Sequence, residues 1–153
     1  MTADEAWRGA GLEERAKAIK VQSRRRVFVD LAPVDFKAVV AWLVTERGFT
    51  HVATVTGIDV GSEIEVIYHL AHGALVLSLR VAVSKEEPTL PSIVDLVPGA
   101  AFYEREVHDL FGVAFEGNPD LSPLVLPDDW PSEIHPLRRE WPADRIHRRL
   151  EGT

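Results

Sequence analysis

The clearest periodic pattern runs from residue 33 to 47, where Phe36, Val39, Val40, Leu43 and Val44 recur at the spacing of one helical face. Asp35 falls in the first turn, where the helix dipole favours a carboxylate, and Gly48 is the expected stop. The period then drops to two. Ile64, Val66, Tyr68 and Leu70 alternate along one run, Leu75, Leu77, Leu79, Val81 and Val83 along the next, and residues 51–58 more weakly. Val60-Gly61-Ser62 and His72-Gly73 are hairpin-sized connections, so these runs are predicted as three antiparallel strands. A further strand is predicted at residues 27–30, after Arg24, Arg25 and Arg26. That arginine run reads as a solvated turn, with a phosphate or anionic-lipid contact as the alternative. Leu12, Ala16 and Ile19 share a face, which predicts a short helix over 12–20, while Gly9 and Gly11 weaken any helix before it. Residues 85–99 read as a proline-punctuated loop. The sum is an α+β fold: an antiparallel sheet of about four strands with helices packed on it.

A second helix is predicted over 102–111, with Tyr103, Val107, Leu110 and Phe111 as its apolar stripe and Arg105, His108 and Asp109 opposite. Gly112 ends it. Glu106 falls inside the arc between Phe102 and Leu110, so it is expected to be buried and paired, with Arg138 or Arg139 returning along the chain. Beyond Gly112 lie six of the ten prolines, together with Leu121, Leu124, Val125, Leu126, Trp130, Leu137 and Trp141. Proline at that density forbids helix and central strand. These side chains therefore need another surface to cover. The chain divides into an α+β domain, 1–114, and an extended proline-rich tail, 115–153, expected to order against a partner.

At 153 residues and 46% hydrophobic content, the chain suits one core. No apolar run approaches the ~18 residues of a membrane span, and the first residues lack the apolar stretch of a secretory signal. Without cysteine there are no disulfides and no cysteine-ligated iron–sulfur cluster, and a cytosolic setting is expected. The net charge of −7 is uneven: residues 1–30 carry seven basic against five acidic groups, and residues 104–153 six against eleven. That balance excludes a nucleic-acid face.

Candidate chemistry is sparse. His69 and His72 flank a turn but lack a second ligand pair for zinc. Neither a P-loop nor a nucleophile elbow is present. Glu104, Glu106 and Asp109 could serve as acid–base carboxylates. The plainer account pairs Arg105 with Asp109 at i, i+4 and Glu106 with a cation of the tail or a partner. Asp128-Asp129 reads as a turn or cap before Trp130 rather than a cation site.

Seven segments occur in order and close spacing: Leu90-Pro91-Ser92-Ile93, Pro98-Gly99-Ala100, Glu104-Arg105-Glu106, Asp109-Leu110-Phe111-Gly112, Pro119-Asp120-Leu121, Leu126-Pro127-Asp128-Asp129-Trp130 and His135-Pro136-Leu137-Arg138. From about Arg25 to Trp141 the chain resembles the 30 kDa, C-type subunit of respiratory complex I (NADH:quinone oxidoreductase). The same subunit type occurs in energy-converting hydrogenases and formate hydrogenlyases. The resemblance implies a cofactor-free subunit of the hydrophilic arm, non-catalytic by itself within an oxidoreductase complex. Iron–sulfur clusters, and either quinone, FMN and NADH or a nickel–iron centre, would sit on other subunits. Its partners would be the large quinone-site or nickel–iron-type subunit and neighbouring iron–sulfur subunits, placing it peripherally on the cytoplasmic face of the cell membrane. The subunit interface would comprise Glu104, Arg105, Glu106, Asp109, Gly112, Asn118, Pro119, Asp120, Leu121, Pro127, Asp128, Asp129, Trp130, His135, Pro136, Leu137, Arg138 and Trp141. Two positions depart from the family pattern. Asn118 stands where a histidine is usual, and Ser122-Pro123 where a basic pair is usual. With His108, these lean toward the hydrogenase-type branch. The alternative from another class is a free-standing binding module or small enzyme built on the acidic cluster at Glu104–Asp109.

Overall fold

The structure, a computed structural model, describes residues 1–9 and 11–152. After two four-residue helical turns, α1 (Ala3–Ala6) and α2 (Leu12–Arg15), the chain forms β1 (Ala16–Ser23) and β2 (Arg26–Leu31), then α3 (Pro33–Arg47). A meander follows: β3 (His51–Asp59), β4 (Glu63–His72) and β5 (Leu75–Ser84). The five strands form one sheet in the order β1-β2-β5-β4-β3. Helix α3 carries the chain from β2 to the far edge, and the meander returns β5 to lie parallel to β2; the other pairings are antiparallel.

The inward face of α3, Phe36, Val39, Val40 and Leu43, meets Val27, Val29, Tyr68, Leu70, Leu77 and Leu79 of the sheet in one buried core. Phe36 packs on Tyr68 with ring centroids 4.8 Å apart. Gly48 ends α3 in the left-handed conformation, as the sequence implies. Two short strands, β6 (Thr89–Pro91) and β7 (Ala114–Glu116), pair in parallel on either side of α4 (Ala101–Phe111). Proline-punctuated residues 85–99 thus contain a strand as well as loop. The pairing ties both ends of α4 to the core through the buried Leu90 and Phe115. Helix α4 lies against β3, and the ring of Phe111 covers Gly57: a β-carbon there would come within 2.5 Å of the ring.

Two expectations fail here. Residues 12–20 are helical only as far as Arg15 and then enter β1. Leu12, Ala16 and Ile19 do pack toward the core, but from a helical turn and an edge strand rather than from one helix face, and the rest of β1 is exposed and shows no alternation. With β1 the sheet has five strands, in keeping with the expected sheet of about four. The tail is not extended throughout. Residues 117–142 run as turns and irregular chain, but Ala143–Glu151 form a helix, α5, entered through Pro142 at its N-cap. No residue of α5 is buried, and its apolar content is too thin to announce it.

Candidate docking site around helix α4

Helix α4 is enclosed on two sides, and the carboxylates that organise it are not the one expected. Glu104 is fully buried and Glu106 is exposed. The inward face runs through Glu104, Val107 and Phe111, whereas Phe102, taken from the sequence as a core position, is 62% exposed. Counting Phe102 as core rotated the apparent apolar arc and drew Glu106 into it. The Arg138 guanidinium meets the Phe111 carbonyl and Glu140 instead, and Arg139 joins Asp59 through its backbone amide.

Four donors converge on Glu104. Its Oε1 accepts from the Tyr68 hydroxyl at 3.0 Å and the Ile93 amide at 3.0 Å. Its Oε2 accepts from the Ser92 hydroxyl at 2.6 Å and the Asn118 side-chain amide at 2.9 Å. A carboxylate has acceptor sites for all four and nothing to donate. Burial, the neighbouring Glu104 charge and the hydrogen bond to it push the Tyr68 phenol well above its ordinary value. One side chain thereby joins β4, the β6–α4 connection, α4 and the start of the tail.

Asp109 fastens the next part of the tail. Its Oδ2 accepts from the backbone amides of Leu124, Val125 and Leu126 at 2.9, 2.8 and 3.1 Å. Burial would raise the Asp109 carboxyl, but these three amides outweigh it and hold the group below its ordinary value. Arg105 does not pair with Asp109. Its guanidinium donates to the Ser122 carbonyl and hydroxyl and to the Pro123 carbonyl, each at 3.1 Å, and lies 3.6 Å from Asp120. The Asp120 carboxylate in turn accepts from the Ser122 amide. Because the backbone of 124–126 faces Asp109, the side chains of Leu124 and Val125 face outward and are 40% and 54% exposed.

A second passage of the tail runs along the other flank of α4. The Leu137 amide donates to the Leu110 carbonyl, and Arg138 Nε to the Phe111 carbonyl at 2.7 Å. These satisfy carbonyls that the end of the helix leaves free. His135 sits on Gly112, whose φ of +74° suits glycine; a β-carbon there would lie 2.5 Å from the His135 ring. Lys85 then staples the tail to the sheet, reaching Asp59 at 2.6 Å and Glu140 at 2.7 Å. Asp59 also accepts from the backbone amides of Arg139 and Gly61. Burial alone would raise the Asp59 carboxyl; Lys85 and the two amides overcome it and hold it at about 2.

Of the residues expected at an interface, Glu104, Arg105, Asp109, Gly112, Asn118, Asp120, His135, Leu137 and Arg138 are thus gathered around α4 by bonds within the chain. Trp130 donates its indole N–H to the Ile134 carbonyl and lines a cleft of about 320 Å3 with Asp109, Leu121, Pro127, Asp128 and His135. Asp129 is exposed in the same turn, and Pro119 is exposed at a bend earlier in the tail. Trp141 stands apart, half-buried, with the Arg145 guanidinium 4.4 Å from its ring centroid. Sequence reasoning missed Tyr68, Asp59, Lys85, Glu140 and Ser92 as organising residues. Ser92 lies in a segment that carries the family resemblance, but Asp59 reads as an ordinary turn residue. Among the described residues, no group of three or more His, Asp or Glu could hold a metal ion, and no helix is long and apolar enough to cross a membrane.

Comparison with known proteins gives this arrangement a context. Residues 29–146 match the family described as respiratory-chain NADH dehydrogenase, 30 Kd subunit. The chain is 35% identical over 156 residues to the C-type subunit of NADH-quinone oxidoreductase from Nocardioides sp., covering 96% of this chain and 61% of the relative. It is 42% identical over 97 residues to the same subunit from Acidothermus cellulolyticus, covering 62% and 50%. It is 36% identical over 122 residues to the C-type subunit of F(420)H(2) dehydrogenase from Methanosarcina mazei, covering 77% and 75%. The chain thus spans about half the length of several NADH-quinone oxidoreductase relatives it matches. Among solved structures, a chain of the membrane-bound sulfane sulfur reductase, an archaeal respiratory membrane complex, superposes with a TM-score of 0.79 at 25% identity, over 93% of this chain and 87% of that one. A trypsin-resistant fragment of Nqo5 superposes with a TM-score of 0.61 at 35% identity, over 68% and 89%. With more than two thirds of its length matched, including the β3–β4–β5 meander, α4 and most of the tail, the chain belongs to the respiratory-chain NADH dehydrogenase 30 kDa subunit family.

Proposed function

We propose that the chain is a cofactor-free structural subunit in the hydrophilic arm of a membrane-associated redox complex. Its α4–tail face docks on the large quinone-site or nickel–iron-type subunit, beside the iron–sulfur subunits that carry the electrons. Attachment to the cytoplasmic face of the cell membrane is indirect, through other subunits. The observation that carries this reading is the outward presentation of Leu124 and Val125. Asp109 binds the backbone beneath them, so their side chains are held in water at a fixed place. Phe102 on α4 is 62% exposed beside Arg105, and Leu137 is itself 54% exposed. Apolar side chains held outward on a hydrogen-bonded scaffold fit a protein partner better than a solvated surface.

The same geometry weakens the lean toward one branch. Asn118 serves Glu104, and Ser122 and Pro123 serve Arg105, so these positions work inside the chain. A histidine or a basic pair there would alter internal bonds as much as a partner's. Enzyme chemistry at Glu104 or Asp109 is disfavoured because donors within the fold already occupy both carboxylates. The test is purification of the tagged chain from its own cells after mild detergent extraction. Co-purification with a large redox subunit and bound iron is expected. Recovery as a lone monomer would overturn the reading.

A further inference from the structure

Strand β1 closes one edge of the sheet and pairs with β2 alone, which leaves its outer row of backbone N–H and C=O groups without a ladder partner. All eight of its residues are exposed or half-buried. On the core face, Val21 lies opposite Val27, yet Val21 is 49% exposed while Val27 is fully covered. The apolar layer beneath the sheet reaches Ala16 and Ile19 of this strand but leaves its Val21 end open. Positive charge crowds the same edge. Lys17 and Lys20 lie on β1, and Arg24, Arg25 and Arg26 form the turn into β2. Among the described residues, none of these five side chains meets a carboxylate. Several cations elsewhere are paired, Lys37 with Asp95, Arg80 with Asp30 and Glu65, Lys85 with Asp59 and Glu140, while Arg47 and Arg145 bond backbone carbonyls. Unpaired cations gathered at one edge of a chain of net charge −7 call for anions from outside. Clefts of about 410, 420 and 500 Å3 border the hairpin, on Lys20 and Phe28, on Arg26 and Val76, and on Arg24 and His72.

We propose that β1 accepts an acidic, extended segment of a neighbouring polypeptide as a sixth strand. The carboxylates of that segment meet Lys20 and the Arg24–Arg26 turn, and an apolar residue of it covers Val21. This builds on the reading of the chain as one component of a larger complex, but uses the edge of the sheet opposite to β3 and α4. Lysine on an edge strand is a common guard against aggregation. That role accounts neither for the apolar Val21 left open at the same edge nor for three arginines at the hairpin turn. An anionic lipid surface would satisfy the arginines but leave the backbone ladder unpaired, so the free ladder favours a polypeptide.

The test is hydrogen exchange on the complex purified through the tagged full-length chain, beside the free chain, for the wild type and for R24E/R25E/R26E. About half the amides of residues 16–23, those alternate groups that point away from β2, should exchange at least tenfold more slowly in the wild-type complex than in the free chain. The charge-reversed variant should still join the complex and lose that protection, with residues 124–126 unchanged. Equal exchange of residues 16–23 in free and assembled chain would overturn the proposal while leaving the proposed role in the complex intact. So would protection that survives the charge reversal, or arginine-dependent binding to phosphatidylglycerol vesicles without protection of β1. Failure of the wild-type chain to join any complex would overturn both.

Discussion

Replacing Glu104 tests whether a buried carboxylate is the structural hub of the region around α4. Glu104→Ala removes the acceptor for four donors, of which the Tyr68 hydroxyl, the Ser92 hydroxyl and the Ile93 amide are themselves buried. A buried donor left unpaired costs ~1–3 kcal/mol. Three such losses, eased by water entering the space, suggest on the order of 4 kcal/mol. Glu104→Gln is milder. Its carbonyl can still serve Tyr68 and Ile93, and the Ser92 hydroxyl can turn to accept from the new amide. Asn118 cannot turn without cost, because its carbonyl already accepts from the Asp120 amide. One unmatched contact leaves about 1–2 kcal/mol. With a urea dependence of about 2 kcal/mol per molar, the midpoint should fall by roughly 2 M for alanine and by roughly 0.5–1 M for glutamine. Glu106→Ala, on the exposed strip of the same helix, should move it by less than roughly 0.3 M. Equal shifts for Glu104→Ala and Glu106→Ala, or no shift for either, would refute the helix phase and the hub with it.

The Lys85 staple should be visible in the pH dependence of stability. A carboxyl held at about 2 instead of 3.8 contributes about 2 kcal/mol. That stability is fully present well above 3.8 and is lost as pH falls toward 2, so wild type and Asp59→Asn should differ at pH 6 and converge near pH 2. Asp109→Ala should release the loop it holds, so hydrogen exchange at Leu124, Val125 and Leu126 should quicken while residues 51–84 keep their protection. Gly57→Ala places a methyl group against the Phe111 ring, an overpacking worth ~1–3 kcal/mol in thermal or urea unfolding. Phe111→Leu should recover part of that loss.

Much of the architecture is legible in the sequence. Helix α3, the β3–β4–β5 meander, α4 and its glycine stop follow from periodicity, because each buries one face against the same core. The elements that sequence reasoning misplaced lack that contrast. Strand β1 has no fully buried residue, α5 buries nothing, and β6 and β7 are three residues each. The site was half legible. The sequence singles out the segments around α4, but its apolar arc, with Phe102 counted as core, points to Glu106 rather than Glu104 as the buried carboxylate. The apolar tail residues were expected to find no surface within the chain. Instead the backbone beside Leu124 and Val125 is fixed by Asp109, and no spacing rule could have shown that their side chains would be turned outward.

The central claim is that this outward-facing tail surface joins the chain to its complex. It is tested most directly by L124D/V125D in the tagged full-length chain, expressed in its own cells and purified after mild detergent extraction. Both side chains are largely in water in the chain alone, so the stability of the variant should stay within roughly 0.5 kcal/mol of wild type. Two carboxylates placed in an apolar contact cost several kcal/mol. Recovery of the large redox subunit should therefore fall at least tenfold relative to wild type. Undiminished recovery with a folded variant would contradict the assignment of this surface as the docking face.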